Sequence, residues 1–186
     1  MQAIQNIELL KGYEIQKIVT GCPHCFNTLK NEYPELGADF EVVHHTQLIN
    51  QLIREGRLLL KGGGKFDGKK ITFHDPCYLG RANDVYEAPR EVLEKLDAEL
   101  VEMKRSKAKG LCCGAGGAQM FKDAEKGNKE INIERTEDAI EVNADYIATG
   151  CPFCNTMMTD GIKHFEKEEK VKVLDIAELI SNAADL

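Results

Sequence analysis

No stretch of this sequence is apolar over the ~20 residues that a helix needs to cross a bilayer, so no span is expected in the chain. Met1 to Leu10 carries neither a basic start nor a long apolar core, so no signal peptide is visible. Positive charge is scarce too. With 24 basic and 31 acidic residues the net charge is -7, which argues against nonspecific binding of nucleic acid or an anionic membrane. These absences predict a cytoplasmic chain, attached to the inner face of a membrane, if at all, through a partner. What the sequence has in quantity is cysteine. Seven cysteines without a secretory signal favour a reducing compartment, where thiolates ligate metal or do redox chemistry. The odd count also excludes a complete disulfide framework within one chain.

At 186 residues, with 42% hydrophobic and 30% charged residues, the chain suits one ordinary domain or two small lobes sharing a core. Met1–Gly12 reads as the end of an amphipathic helix, with Ile4, Ile7 and Leu10 about a turn apart. A strand within Glu14–Thr20 runs into Gly21-Cys22-Pro23, and proline at that point suits the first turn of a helix. That helix is expected to stop before Pro34. Strand Phe40–His44 and an apolar helical pattern at Leu48, Ile49, Leu52 and Ile53 follow. The glycine-rich stretch after Leu60 reads as a flexible connection between lobes. Beyond it come strand Lys70–His74, a helix opening at Ala88-Pro89-Arg90, a strand within Glu99–Met103 and a helix over Lys129–Val142. The chain then continues with strand Tyr146–Thr149, a helix after Cys151-Pro152, strand Val171–Leu174 and helix Asp175–Ala184. Strands alternating with helices predict an α/β fold with mainly parallel sheets flanked by helices.

An internal repeat refines that expectation. Residues 18–25 (IVTGCPHC) match residues 147–154 (IATGCPFC) at six of eight positions, and each is followed by a strand and then a helix. Two duplicated lobes are therefore predicted. The expected organisation is the C-terminal part of a first lobe over 1–60, a connection over 61–69 and a complete second lobe over 70–186. The first lobe lacks the leading cysteines of the second, so it is expected to be N-terminally truncated, as in a piece cut from a longer protein.

Leu111-Cys112-Cys113-Gly114-Ala115-Gly116-Gly117 is the stretch around which the other cysteines fall. Adjacent cysteines cannot both enter one ordinary tetrahedral site without contorting the backbone, and the small residues behind them allow the contortion. Successive N–H groups in such a loop also form a concavity suited to an anion. Each Cys-x-x-Cys sits where a strand gives way to a helix, a placement that lowers thiol pKa. Three chemistries compete here. A thioredoxin-like pair needs only Cys151 and Cys154 and leaves Cys77, Cys112 and Cys113 unexplained. Structural zinc would take four of the five, at spacings unlike a standard ribbon or finger. An iron–sulfur cluster with more than the usual four thiolates would use all five.

The run His74-Asp75-Pro76-Cys77-Tyr78-Leu79-Gly80-Arg81, with Ala88-Pro89-Arg90, Cys112-Cys113-Gly114-Ala115-Gly116-Gly117 and Gly150-Cys151-Pro152-Phe153-Cys154, resembles the cysteine-rich CCG domain. That domain occurs in the B and D components of heterodisulfide reductase and in iron–sulfur subunits of glycolate, lactate and glycerol-3-phosphate oxidation systems. The resemblance runs from about Ile18 to the C-terminus and implies Rossmann-like lobes. It implies that Cys77, Cys112, Cys113, Cys151 and Cys154 ligate a noncubane [4Fe–4S] cluster in an electron-transfer subunit of an Fe–S oxidoreductase. A flavoprotein or ferredoxin-type partner is implied with it. The ferredoxin-type CxxCxxCxxxCP segment is missing, and Cys22 and Cys25 make at most a partial second site. Zinc, or a metal-free scaffold module in an oxidoreductase complex, is the competing expectation.

Around the cysteines, Gly114, Gly116 and Gly117 are candidates to offer amides to the cluster, and His74 to tune it or relay a proton to a substrate thiolate. Arg81 is a candidate to neutralise it or hold an acidic substrate, with a salt bridge to a neighbouring carboxylate as the alternative. For His74 and Asp75 the plainer expectations are a core hydrogen bond and a turn cap. Arg135 reads as an interlobe ion pair and His24 as a surface imidazole, and at most one of His44 and His45 should face inward. Tyr78 and Phe153 would shield the centre from water, while Met120-Phe121, Met157 and Met158 read as core filler.

Overall fold

The computed structural model describes residues 1–60, 64–123 and 126–184. The chain opens with α1 (Gln2–Gly12), which buries Ile7 against Tyr33 and Ala38. Strand β1 (Lys17–Thr20) pairs in parallel with β2 (Glu41–His44), and Thr20 stands opposite His44. Between them α2 (Pro23–Asn27) runs through a π turn (Thr28–Glu32) into a 3-10 turn (Tyr33–Leu36). The expected stop before Pro34 does not occur. A proline in the first turn of a new helical segment has no needed donor to lose, and Gly37, at φ 82°, ends the run instead. Helix α3 (His45–Arg54) then starts from a reciprocal cap, in which Gln47 Oε1 accepts the amide of His44 at 3.1 Å.

The larger sheet has four parallel strands, β3 (Lys70–Phe73), β4 (Glu99–Leu100), β5 (Tyr146–Thr149) and β6 (Lys172–Asp175), in the order β4-β3-β5-β6. Its helices are α4 (Glu87–Leu93), α5 (Ile131–Glu141), α6 (Pro152–His164) and α7 (Ile176–Ala184). Parallel strands need such crossovers, and the alternation of side chains divides the core in two. Ile71, Phe73 and Ala148 point to one face, where Val92, Leu93, Leu96, Ile176, Leu179 and Ile180 cover them. Ile147 points to the other and meets Met103, Ala139, Met158 and Ile162.

The smaller sheet joins this body through α3. Ile49 and Ile53, with Leu58 and Leu60, pack onto the first of those cores. Asn50 and Arg54 both donate to the carboxylate of Glu91 on α4, each at 2.5 Å, and the ring of His45 meets Asp175 at 2.9 Å. Of the 61–69 connection, residues 61–63 lie outside the described residues, while Phe66 is 1% exposed and belongs to the core. The stretches β1-α2-β2-α3 and β5-α6-β6-α7 share the order strand, Cys-Pro, helix, parallel strand, helix. Among the described residues no helix is long and apolar enough to cross a membrane.

This topology decides where a site can form. From β3 the chain passes outward to β4 on one side, and β5 and β6 lie on the other. The carboxyl ends of β3 and β5 therefore flank the point where strand order reverses, where open parallel sheets leave a crevice. Asp75-Pro76-Cys77 follows β3, and Gly150-Cys151-Pro152 follows β5.

Candidate metal centre

Five of the cysteines converge at that crevice. Cys77 arrives from β3, Cys112 and Cys113 from the loop beyond β4, and Cys151 and Cys154 from the start of α6. Cys113, Cys151 and Cys154 are at most 4% exposed, Cys77 and Cys112 are half-buried, and all are free thiols. Their thiols neighbour one another in a continuous series, Cys77 with Cys112, Cys112 with Cys113, Cys113 with Cys154 and Cys154 with Cys151, each close enough to shift the next one's pKa. A sixth cysteine joins it, because Cys22 stands beside Cys151 across the junction of the two sheets, near enough for each to shift the other's pKa. Cys25 is exposed and takes no part in that series. The pair expected as a partial second site is thus divided, with Cys22 inside the array and Cys25 outside.

The array separates its thiols into donors and acceptors. Cys112 is held well below the usual thiol range, first by the bond from Cys113, then by Cys77 and by the amide of Gly114, 3.3 Å from its sulfur. Cys151 is likewise held low by Cys154 and Cys22, and by the backbone of Phe153 and Cys154. It is the N-cap of α6, with Pro152 in the first turn, so these amides are ones a helix start leaves free. The donors Cys22 and Cys77 are pushed up, each first by its bond to the thiolate and then by burial. Cys154 is raised by its bonds to Cys113 and Cys151, and Cys113 chiefly by its bond to Cys112, against a lowering bond from Cys154.

The glycine loop earns its composition at two positions. Gly114 has φ 89°, and a Cβ there would stand 3.2 Å from Cβ of Ile131. Gly117, at φ 64°, also lies in the region that L side chains avoid. Gly116 has neither a positive φ nor a near neighbour, so the backbone places no such demand on it. Within this loop, the amides that act on cysteine sulfur are those of Gly114, on Cys112, and Ala115, on Cys113.

His74 follows β3 directly, 1% exposed, with a ring nitrogen within 4.8 Å of the sulfurs of Cys113 and Cys154. Burial pushes its pKa down to about 3, with Arg135 adding to the effect, so the ring is neutral. Asp75 does more than cap a turn: it takes two bonds from Arg90 and accepts the amide of Lys107 at 2.7 Å. Arg81 is exposed and makes no side-chain ion pair among the described residues; its charge draws the pKa of Cys77 down slightly.

Arg135 is not an interlobe contact. It is wholly buried on α5, and its partners, His74, Arg105 and Asp138, all lie in the larger lobe. The sign in the sequence was its place on the apolar stripe Ile131, Arg135, Ala139, where a charge must be paired. His24 is no surface imidazole either. It is half-buried, its ring 4.4 Å from that of Tyr78 and 5.4 Å from that of Phe153, and Nδ1 lies 3.9 Å from the sulfur of Cys22. His44 is the inward member of its pair, at 0% exposure. Met158 is core, but Phe121 is 76% exposed and fills none.

The family model of the cysteine-rich domain matches residues 2–30 and 71–159, which contain all seven cysteines. The chain belongs to this family. Among its relatives, the probable iron-sulfur-binding oxidoreductase FadF of Bacillus subtilis is 46% identical over 182 residues, 97% of this chain and 25% of that protein. The EtfAB:quinone oxidoreductase of Syntrophomonas wolfei is 42% identical over 97% of this chain and 26% of its own. The D component of the dihydromethanophenazine:CoB--CoM heterodisulfide reductase of Methanosarcina barkeri is 36% identical over 99% and 44%. The cysteine-rich chain thus spans between a quarter and under half of the length of these relatives.

Proposed function

We propose that this domain holds an iron–sulfur cluster, in noncubane [4Fe–4S] form, on Cys77, Cys112, Cys113, Cys151 and Cys154. In this reading it serves electron transfer in a heterodisulfide reductase-like oxidoreductase. The observation that carries the reading is the convergence of five free cysteines, three of them buried, at the strand-order reversal. The donor set fits the group. Reduced thiols with few competing oxygen or nitrogen donors suit iron–sulfur chemistry better than hard cations, and five exceed what one tetrahedral zinc uses. The relatives named as iron-sulfur-binding or as heterodisulfide reductase support the same assignment.

When bound, such a cluster takes up and releases electrons singly. The chain's own residues would do the rest. The amides of Gly114 and Ala115 would offset thiolate charge, and α6 presents its N-terminus to Cys151. Phe153 packs against the buried cysteines, while Tyr78, 41% exposed, leaves the side of Cys77 open to water. A flavoprotein or ferredoxin-type partner would supply or accept the electrons, since one centre is not a chain of carriers.

The test is iron, acid-labile sulfide and zinc per chain on protein purified without oxygen, beside Cys113→Ala. About four irons with matching sulfide, lost in the variant, are expected. One zinc and no sulfide would refute the redox reading and leave a structural site.

A further inference from the structure

An arginine keeps all its protons in a protein, so each bond it makes identifies the other atom as an acceptor. Arg135 donates through Nε to Nδ1 of His74 at 3.0 Å. A doubly protonated imidazole could not accept that bond. A neutral one can do so only with its lone pair on Nδ1 and its hydrogen on Nε2. Arg135 is itself fixed, because Nη1 donates to the carbonyl of Arg105 at 2.6 Å and to Asp138 at 3.1 Å. Asp138 is in turn gripped by Nε and Nη2 of Arg105 at 2.7 and 2.9 Å. The tautomer of His74 is therefore set by a buried frame that spans β3, α5 and the segment after β4.

We infer that Arg135 positions His74 as a fixed N–H donor to the metal centre held by Cys113 and Cys154, and bars it from being a ligand. The inference rests on the cluster reading above. A ring nitrogen of His74 lies as close to those two sulfurs as a ligand would, within 4.8 Å, which invites the opposite assignment. Ligation, however, needs a free lone pair, and the only one on the ring is committed to Arg135. Arginine cannot accept a bond in exchange. What the ring has left to offer is the Nε2 hydrogen. An N–H directed at ligating sulfur withdraws negative charge and favours the reduced state of the centre. Arg135 adds a buried cation behind the ring, with its Nη2 unpartnered among the described residues. It acts through His74 and is a positioning residue.

Two measurements test this. Long-range proton–nitrogen NMR spectra of the reduced, metal-free chain are expected to show His74 with a bare Nδ1 and a protonated Nε2, and a mixture of tautomers in Arg135→Met. A protonated Nδ1 in the wild-type chain would overturn the inference whether or not that variant folds. On the reconstituted chain, His74→Leu removes the donor and His74→Gln restores one. Both are expected to keep the wild-type iron and sulfide. Their reduction potentials should differ: lower in His74→Leu by a tenfold change in the one-electron equilibrium, about 59 mV, and partly restored in His74→Gln. Loss of iron in both variants with unchanged circular dichroism would make His74 a ligand and overturn the inference, as would equal potentials in all three proteins. If no form binds iron, the cluster reading fails separately, and the NMR result decides the tautomer on its own.

Discussion

Asp75 and Arg90, 15 positions apart in the chain, are joined by two parallel bonds of 2.8 and 2.9 Å, with both side chains buried. The pair ties α4 to the loop that delivers Cys77, two residues beyond Asp75, and Glu102 takes the other edge of the guanidinium at 2.6 and 3.0 Å. Parallel N–H donors against two carboxylate oxygens are the strongest geometry open to this pair. Removing one partner strands the other's charge in the interior. Arg90→Ala is expected to lose about 3–5 kcal/mol of unfolding free energy in urea titrations. Arg90→Lys, which replaces the fork by a point charge, should lose less. An Arg90→Ala protein as stable as wild type would mean that Asp75 finds solvent or another cation.

Close helix packing gives a second prediction. A Cβ on Gly161 of α6 would overlap Oγ1 of Thr136 on α5 and lie 2.8 Å from its Cβ, too near for any rotamer change of Thr136 to relieve both. Alanine in a helix gains up to about 1 kcal/mol over glycine, but overpacking typically costs about 1–3 kcal/mol. Gly161→Ala should therefore be net destabilising in thermal or urea unfolding. Adding Thr136→Ala, which removes Oγ1, should recover part of the loss. A stabilised single variant would show that α5 and α6 separate freely.

How far the sequence revealed this arrangement depends on the range of the forces involved. The passages from β1 to α2 and from β5 to α6 were legible because local chemistry dictates them: β-branched residues, then Gly-Cys-Pro with proline at a helix start. The convergence of Cys77 with Cys112, Cys113, Cys151 and Cys154 was legible only as spacing, which parallel strands turn into proximity. Two features lay beyond it. The approach of Cys22 to Cys151 depends on how α3 seats one sheet against the other, and no local pattern encodes that. The inner face of α5 carries Asn132, Arg135, Thr136 and Asp138, all buried. Polarity ordinarily marks the solvent side of a helix, so of these four only Arg135, in line with Ile131 and Ala139, carried a sign of burial.

Ionisation and exposure are separated between Cys112 and Cys151, which yields a third prediction. Both are held as thiolates by neighbouring S–H and N–H donors, but Cys112 is half-buried and Cys151 is 0% exposed. The thiolate is the nucleophile, and attack also needs access. In the metal-free, reduced protein at pH 6, iodoacetamide should modify Cys112 about tenfold faster than an ordinary free thiol. Cys151 should stay unmodified until the protein unfolds. Peptide mass spectrometry over time checks both. Equal rates would mean that the S–H donors do not hold the two thiolates apart from solvent.

His44 supplies the last prediction, for acid. Its ring is 0% exposed, with Nδ1 2.8 Å from Oγ1 of Thr46 and Nε2 unpartnered among the described residues. Burial, with His45 adding to it, lowers its pKa from 6.5 to about 4. Between these values the unfolded chain holds a proton on this residue that the folded chain does not. Stability therefore falls as pH drops from about 6.5 towards 4, by up to about 1.4 kcal/mol per pH unit, and the slope vanishes below, where both states are protonated. His74, lowered to about 3 by burial, contributes in the same direction and is common to wild type and variant. In urea titrations of the metal-free protein from pH 7 to 4, His44→Gln should thus show a shallower decline, by about one proton's slope. Parallel declines in the two proteins would mean that His44 is protonated in the folded state, and that a group not identified as its partner accepts from Nε2.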